Sequence, residues 1–237
     1  MFPLYYLTSC LSTNDVVVNF LSESSLSLCV YTFKQTKGRG QYGNSWETKE
    51  DQNLAFSLAI PQEELALGEN MLNYHTAETF RQFLAKLTQT DTLIKWPNDL
   101  ILQGKKVGGM LIEKRRIGKV GYYILGVGIN VRQIDFSSLP SAGSLWTQSG
   151  KEFDLHETAQ LLNEYLFENL LNIPSDQKIL ESYNSNLFKK EEVAVFEIGG
   201  LRQNGIIKVA DAEGGLLVDL ERDGRKRFYH KEIKMLY

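Results

Sequence analysis

The stretch GRGQYGNSW (residues 38–46) opens with three glycines and one arginine in six residues. Without Cβ atoms, such a loop lets backbone N–H groups approach an anion closely, while the Arg39 guanidinium supplies a planar fork of donors. A second region, KWPND (95–99) followed by KKVGGMLIE (105–113), sets Lys95, Lys105 and Lys106 around a Pro-Asn-Asp turn. In a third, GVGIN (126–130), Gly126, Gly128 and Asn130 alternate, so in a strand they share one face. Two missing side chains leave a trough there, and an amide closes its end. Cations, exposed amides and a trough together suit a carboxylate and a nucleotide.

Each segment alone has an ordinary explanation. A glycine-rich stretch is a loop that needs positive φ angles, Trp-Pro-Asn-Asp is a turn, and strand glycines admit a close neighbouring strand. Their conjunction, in one order, is what these explanations do not produce.

With Ser12-Thr13-Asn14 and Gln35 added upstream, these motifs make the chain resemble the biotin–protein ligase family from about Ser12 to the C-terminus. The resemblance implies an ATP-dependent reaction in two steps. Biotin is activated to biotinyl-5′-AMP with release of pyrophosphate, and the biotinyl group then passes to a lysine of a biotin carboxyl carrier protein belonging to a biotin-dependent carboxylase. Mg²⁺ accompanies ATP, and the sequence identifies no ligands for it. The resemblance further implies that Ser12, Thr13, Asn14, Gln35, Gly109, Gly126 and Gly128 contact biotin together with Gly38, Arg39 and Gly40. Those last three are shared with the nucleotide, which also meets Gln41, Trp46, Asn98, Lys106 and Asn130. Lys106, Arg39, Lys95 and Asp99 carry the chemistry. Attack of a carboxylate on the α-phosphate builds charge on phosphate oxygens and needs positioning and cations more than covalent help, which these residue types supply. Asp99 either takes a proton from the incoming amine or simply satisfies the Pro97-Asn98 turn.

Gln41 departs from the family loop, which carries a second arginine there, so the resemblance implies a weaker hold on the adenylate, with Arg39 and Lys106 alone as the cationic grip unless another cation fills the space. Lys37 or a residue of the C-terminal region are candidates. Lipoate and octanoate ligases or transferases share the implied fold, but the glycine-arginine loop with Lys-Trp-Pro-Asn-Asp fits biotin better. Eleven residues precede Ser12, too few for a helix-turn-helix, so no DNA binding is expected. Family members occur as monomers and dimers, which leaves a homodimer open.

Composition agrees. A chain of 237 residues, 43% apolar and 23% charged, forms a sizeable core, and a net charge of −3 argues against a broad nucleic-acid or membrane footprint. Cys10 and Cys29 lack metal spacing and read as free thiols of a reducing compartment. No apolar run approaches a membrane span, and the N-terminus has no signal pattern, which points to the cytoplasm.

The elements that must position these residues follow from periodicity. Ser12 reads as the N-cap of a short helix whose first amides face the site. Strands are expected at 28–34, 54–60, 92–96, 107–114 and 120–131, and helices at 65–87 and from Asp154, which pairs with Glu157 as a cap. His75 falls within the first helix as a packing residue. Residues 140–150 read as a loop, which in the family closes over the adenylate. From Glu191 onward, short strands are punctuated by Gly199-Gly200, Gly214-Gly215 and Asp223-Gly224. The expected architecture is α+β: a mixed, largely antiparallel sheet flanked by helices over residues 1–188, with a small C-terminal β-barrel over 189–237. The charged run 222–227 reads as a solvated hairpin, with contact to ATP or the carrier as the alternative.

Overall fold

In the computed structural model, which describes residues 1–21 and 26–237 and only the backbone of Tyr42, the chain begins with β1 (Leu4–Leu7), α1 (Thr13–Val16), β2 (Leu28–Thr32), β3 (Gly38–Arg39) and β4 (Ser45–Trp46). It continues through β5 (Asn53–Pro61), α2 (Glu69–Thr88), β6 (Thr92–Lys95), β7 (Asp99–Leu102), β8 (Lys105–Ile117) and β9 (Val120–Asn130). Three helices follow: α3 (Leu145–Ser149), α4 (Leu155–Asn169) and α5 (Asp176–Ser185). The last strands are β10 (Val193–Ile198), β11 (Leu201–Ala210), β12 (Leu216–Leu220), β13 (Gly224–Phe228) and β14 (Lys234–Leu236). Seven strands form one sheet in the order β1-β2-β5-β9-β8-β7-β6, five form a second in the order β13-β12-β11-β10-β14, and β3 pairs with β4. β1 runs parallel to β2, while the remaining ladders of the two sheets are antiparallel.

Two-residue alternation decides what each face of the large sheet does. On β5, Leu54, Phe56, Leu58 and Ile60 join Leu125, Val127 and Ile129 of β9 in the main core, packed with Leu72, Phe80 and Leu84 of α2 and Ala159, Leu162 and Leu166 of α4. Each such side chain removed from water contributes about 1.5–3 kcal/mol. The opposite face carries Ala55, Ser57 and Ala59 beside Gly126 and Gly128. One end of that face is closed by a smaller cluster of Val17, Leu28, Val30, Ala59, Tyr122 and Ile124. The other end, where the glycines lie, is open.

The C-terminal strands do not close into the expected barrel, because no ladder joins β13 to β14 among the described residues. The sheet instead covers the helices. Phe196, Ile207, Leu216, Val218 and Phe228 belong to the same core as Tyr74 and Tyr183. Asn184 exchanges hydrogen bonds with the Ala210 backbone at 2.9 and 2.7 Å, and the Tyr74 hydroxyl donates to Asp211 O at 3.1 Å. An apolar face already buried against α2 and α5 has no need to curl upon itself. Gly224 takes the left-handed conformation expected of the Asp-Gly hairpin, with φ 65°.

Other boundaries shift locally. α2 starts at Glu69, after a 3₁₀ turn that buries Leu65. β1, α3, α5 and β7 were not legible; the turn before β7 is confined to Pro97 and Asn98, so Asp99 begins a strand. Asp154 caps α4, accepting from Glu157 N at 3.0 Å. His75 is buried, with Nε2 2.8 Å from Leu170 O, a packing role.

Candidate functional site

Gly126 lies opposite Leu111 and Ser57, and Gly128 opposite Gly109 and Ala55, so the trough runs across three strands. It admits side chains rather than another strand. A Cβ on Gly126 would collide with the Asn14 amide, and one on Gly128 with the Trp46 indole. Asn14 is fixed there: its Nδ2 donates to Glu113 Oε2 at 2.8 Å, and its Oδ1 lies 2.6 Å from Ser57 Oγ. Ser57 Oγ is also 2.7 Å from Thr13 Oγ1. Ser12 does occupy the N-cap position of α1, but its hydroxyl makes no cap hydrogen bond. Gln35 Oε1 accepts from Thr13 N at 2.8 Å instead, a cap supplied from 22 residues away. Ser12, Thr13, Asn14 and Gln35 therefore converge.

Lys106 is placed by an irregularity. β7 pairs Asp99 with Gly109 and Leu100 with Gly108, yet Ile101 with Lys106, so Val107 is an extra residue in β8. Strict alternation from Gly109 would put Lys105 on the trough side and Lys106 on the core side. The bulge reverses this, as bulges beside active sites often do, and sends Val107 into the core. Lys106 Nζ then reaches Asp99 Oδ1 at 2.6 Å, while Lys95 Nζ lies 3.5 Å from Asp99 Oδ2. The Lys106 and Asp99 side chains both cross over Gly109, within contact distance of where a Cβ would stand. Lys106 Nζ also stands 5.7 Å from the Trp46 ring centroid, and Lys95 Nζ 5.3 Å from that of Tyr237. With both oxygens engaged, Asp99 spaces two ammonium groups, and the row carries a net charge of +1. Lys105 points away, donating to Pro140 O at 2.6 Å.

Arg39 sits in a different electrostatic setting. Its guanidinium forms a two-nitrogen pair with Asp15 and lies 3.1 Å from Glu113, and Arg115 joins both carboxylates at 3.5 and 3.0 Å. Two cations and two anions cancel. Hydrogen bonding from Arg39 holds Asp15 below the ordinary carboxylate range. Burial pushes Glu113 upward, but the Asn14 amide, Arg115 and Arg39 outweigh it, and its pKa also falls below the usual value.

A central cavity of about 200 Å³ gathers Ser12, Thr13, Asn14, Gln35, Arg39, Gly40, Gln41, Trp46, Lys95, Asn98, Asp99, Lys106, Gly109, Gly126 and Gly128. Two expected residues lie outside it. Gly38 pairs with Trp46 in the β3–β4 ribbon, and a side chain there would strike the Trp46 carbonyl and the Gln35 amide, so its smallness serves close backbone approach. Asn130 belongs to an outer cavity of about 600 Å³, where it joins Trp46, Lys106, Phe136 and residues 138–142, and its Nδ2 donates to Gly143 O at 3.0 Å. Asn98 lines the central cavity but gives its amide to Met110 O, bracing the turn against β8. Lys37 lies on neither wall. A third cavity, of about 450 Å³, flanks the central one beneath the C-terminal sheet and shares with it Gln41, Trp96, Pro97, Leu111 and His230.

Several participants were missed in the sequence. Ser57 and Asp15 belong to none of the motifs singled out in the sequence, and Glu113, which ends KKVGGMLIE, was given no role. Glu113 does fall two and four residues after Leu111 and Gly109 on the trough face, a periodicity that could have flagged it. His230 and Tyr237 come from the far end of the chain, and no local motif marks them. The 222–227 run is a paired surface: Arg225 meets Asp219, Lys226 meets Asp223 and Arg227 meets Asp211. Among the described residues, no group of three or more His, Cys, Asp or Glu side chains is arranged to hold a metal ion, and no helix is long and apolar enough to cross a membrane.

Comparison with known proteins gives one consistent result. Residues 7–130 match the model of the biotin/lipoate A/B protein ligase family. The bifunctional ligase/repressor BirA of Escherichia coli is 28% identical over 221 residues, covering 90% of this chain and 67% of that protein. The biotin–[acetyl-CoA-carboxylase] ligase of Paracoccus denitrificans is 26% identical, with 87% of this chain and 90% of that protein covered. Biotin–protein ligase 2 of Arabidopsis thaliana is 35% identical, but the match spans only 51% of this chain and 38% of that protein. A structure of the R40G biotin protein ligase of Aquifex aeolicus in complex with biotin superposes with a TM-score of 0.78 at 25% identity, covering 99% of this chain and 98% of that one.

Proposed function

The chain belongs to the biotin/lipoate A/B protein ligase family, and from that premise we propose that it is an ATP-dependent biotin–protein ligase acting on the carrier protein of a biotin-dependent carboxylase. The observation that carries this reading is the shared wall: Lys106 and Trp46 line both the central cavity and the outer one. A reaction joining a small carboxylic acid to a nucleotide needs two chambers meeting at one cation. Biotin occupies the central cavity beside the glycine trough, its ring system against the Trp46 and Asn14 side chains that the trough admits and its polar groups within reach of Thr13, Asn14 and Gln35. Its carboxylate reaches toward Lys106. The adenosine end of ATP takes the outer cavity, between Trp46 and residues 138–142, with Asn130 at its rim.

Attack of the carboxylate oxygen on the α-phosphorus forms biotinyl-AMP and expels pyrophosphate. Lys106 and Lys95, held apart by Asp99, supply the charge that offsets the developing negative charge on phosphate oxygens. Arg39, balanced by Asp15 and Glu113, orients the wall of the biotin chamber without adding net charge. Mg²⁺ arrives as part of MgATP, a substrate complex. The acceptor lysine then displaces AMP. We place the protein in the cytoplasm, in keeping with the free thiols Cys10 and Cys29.

The test is biotin-dependent exchange of labelled pyrophosphate into ATP, with lipoate in place of biotin as the control. Exchange with biotin and none with lipoate is expected; exchange driven by lipoate, or by neither acid, would remove the proposal.

A further inference from the structure

If the nucleotide fills the outer cavity, the acceptor lysine must reach the activated carboxyl from another side; the flanking cavity beneath the C-terminal sheet shares five residues with the central one, against three for the cavity over residues 34–38, 45–48 and 50. The wall of the flanking cavity carries Asn70 and Asn73 together with Glu69, paired with Lys114 of the same wall, and Glu213, paired with Arg227, a polar lining without net charge that can admit an uncharged amine. Five residues form the neck between that cavity and the central one, and of these only His230 titrates near neutral pH. It sits on a tight turn after β13. Tyr229 N donates to Glu232 Oε2 at 2.7 Å, Glu232 N donates to Tyr229 O at 3.1 Å, and Lys231 has φ 73°. The imidazole centroid lies 5.9 Å from that of Trp96, at the lysine row.

Resting on the ligase reading above, we propose that His230 is a further catalytic residue, taking the proton of the acceptor lysine during transfer. The lysine nitrogen attacks the carbonyl carbon of biotinyl-AMP, and the N–C bond forms. The C–O bond to phosphate breaks, and its electron pair leaves with AMP. The proton of the newly cationic nitrogen passes to the imidazole and from there to water in the flanking cavity. Lys95 and Lys106 disfavour a third ammonium beside them, so the amine enters uncharged. Once the N–C bond begins to form, the nitrogen becomes far more acidic than a free ammonium, and a weak base suffices. Asp99, with an oxygen on each lysine, is less disposed to the task. The charges that act on His230 are Asp99 of β7, Lys95 of β6 and its neighbour Lys231. Burial, the largest influence, holds its pKa below the ordinary histidine value and keeps it neutral at pH 7.

The experiment separates the two half-reactions in the full chain. Biotin-dependent pyrophosphate exchange is measured first, then single-turnover transfer from enzyme loaded with biotinyl-AMP to a biotin carboxyl carrier domain, across pH, for wild type, His230→Gln and His230→Ala. Expected are exchange within about threefold of wild type and transfer slowed about 100-fold, the low end of general-base effects. The wild-type transfer profile should fall as pH drops through a value below 6.5, the ordinary histidine pKa. That limb should vanish in His230→Gln, and added imidazole should restore His230→Ala. Wild-type transfer in His230→Gln overturns the proposal, and so do equal losses of exchange and transfer or failure of imidazole to rescue. Absence of biotin-dependent exchange in the wild type would instead defeat the ligase reading itself.

Discussion

The central cavity has two charged ends that are built on opposite plans. At one, Arg39 and Arg115 are matched by Asp15 and Glu113, and four charges cancel within hydrogen-bonding distance. At the other, Lys95 and Lys106 share a single carboxylate, and one positive charge is left over. A charge that is fully paired fixes geometry, whereas an unbalanced one remains available to a substrate anion. The arginine of the glycine loop, which by type looked like the strongest anion grip in the sequence, is the better neutralised of the two. In the proposed reaction the cationic work falls to the lysines.

The sharpest way to break this contrast is to remove one lysine at a time from the adjacent pair. Lys106→Ala should lower biotin-dependent pyrophosphate exchange by at least about 10²–10³-fold, the scale seen when one preorganised donor to a developing oxyanion is lost. Lys105→Ala should stay within about threefold, because that side chain serves only the Pro140 carbonyl. Comparable losses in both variants would mean that the bulge does not select between them.

A milder change adds charge instead of removing it. Gln41 lies on the neck between the central and flanking cavities, and neither Lys37 nor any lysine or arginine of the C-terminal sheet lines the central cavity. Gln41→Arg should therefore slow release of biotinyl-AMP about fivefold, the equivalent of roughly 1 kcal/mol between a neutral and a charge-assisted hydrogen bond. Rapid dilution of loaded enzyme at fixed salt measures this, and equal or faster release would show that retention does not depend on position 41.

The smallest effect concerns stability at low pH. Asp15 and Glu113 have folded pKa values below their ordinary ones. Their contribution is fully present above about pH 4, near the unfolded values, and is lost as pH falls through the folded values. Asp15→Asn should leave the thermal midpoint nearly unchanged at pH 7, since the pair with Arg39 is partly exposed, and should flatten the decline below pH 4. An unchanged acid decline would mean that the balanced cluster does not couple to folding.

How much of this was legible depended on distance along the chain. The trough was readable because alternating glycines state their geometry locally, and the large sheet followed from long apolar alternations such as those of β5 and β9. The identity of what fills the trough was not readable, since Asn14 and Trp46 reach Gly126 and Gly128 from more than 80 residues away. Nor could local sequence say which of two adjacent lysines faces the site, because the bulge arises from pairing with β7. The C-terminal strands were read correctly from their Gly turns. Their failure to close depended on Tyr74, Tyr183 and Asn184, which lie on helices, one of them too weakly patterned to be anticipated. His230 entered the site through that same long-range packing.

The bulge at Val107 also changes where the backbone of Lys106 is moored. Its amide donates to Ser141 O at 2.8 Å, and its carbonyl accepts from Gly143 N at 3.0 Å, so the lysine is stitched to the segment that walls the outer cavity. Lysine and segment then behave as a single lever across the partition between the chambers. Amide hydrogen exchange at Lys106 and Gly143 should accordingly rise and fall together, reporting one opening event rather than two.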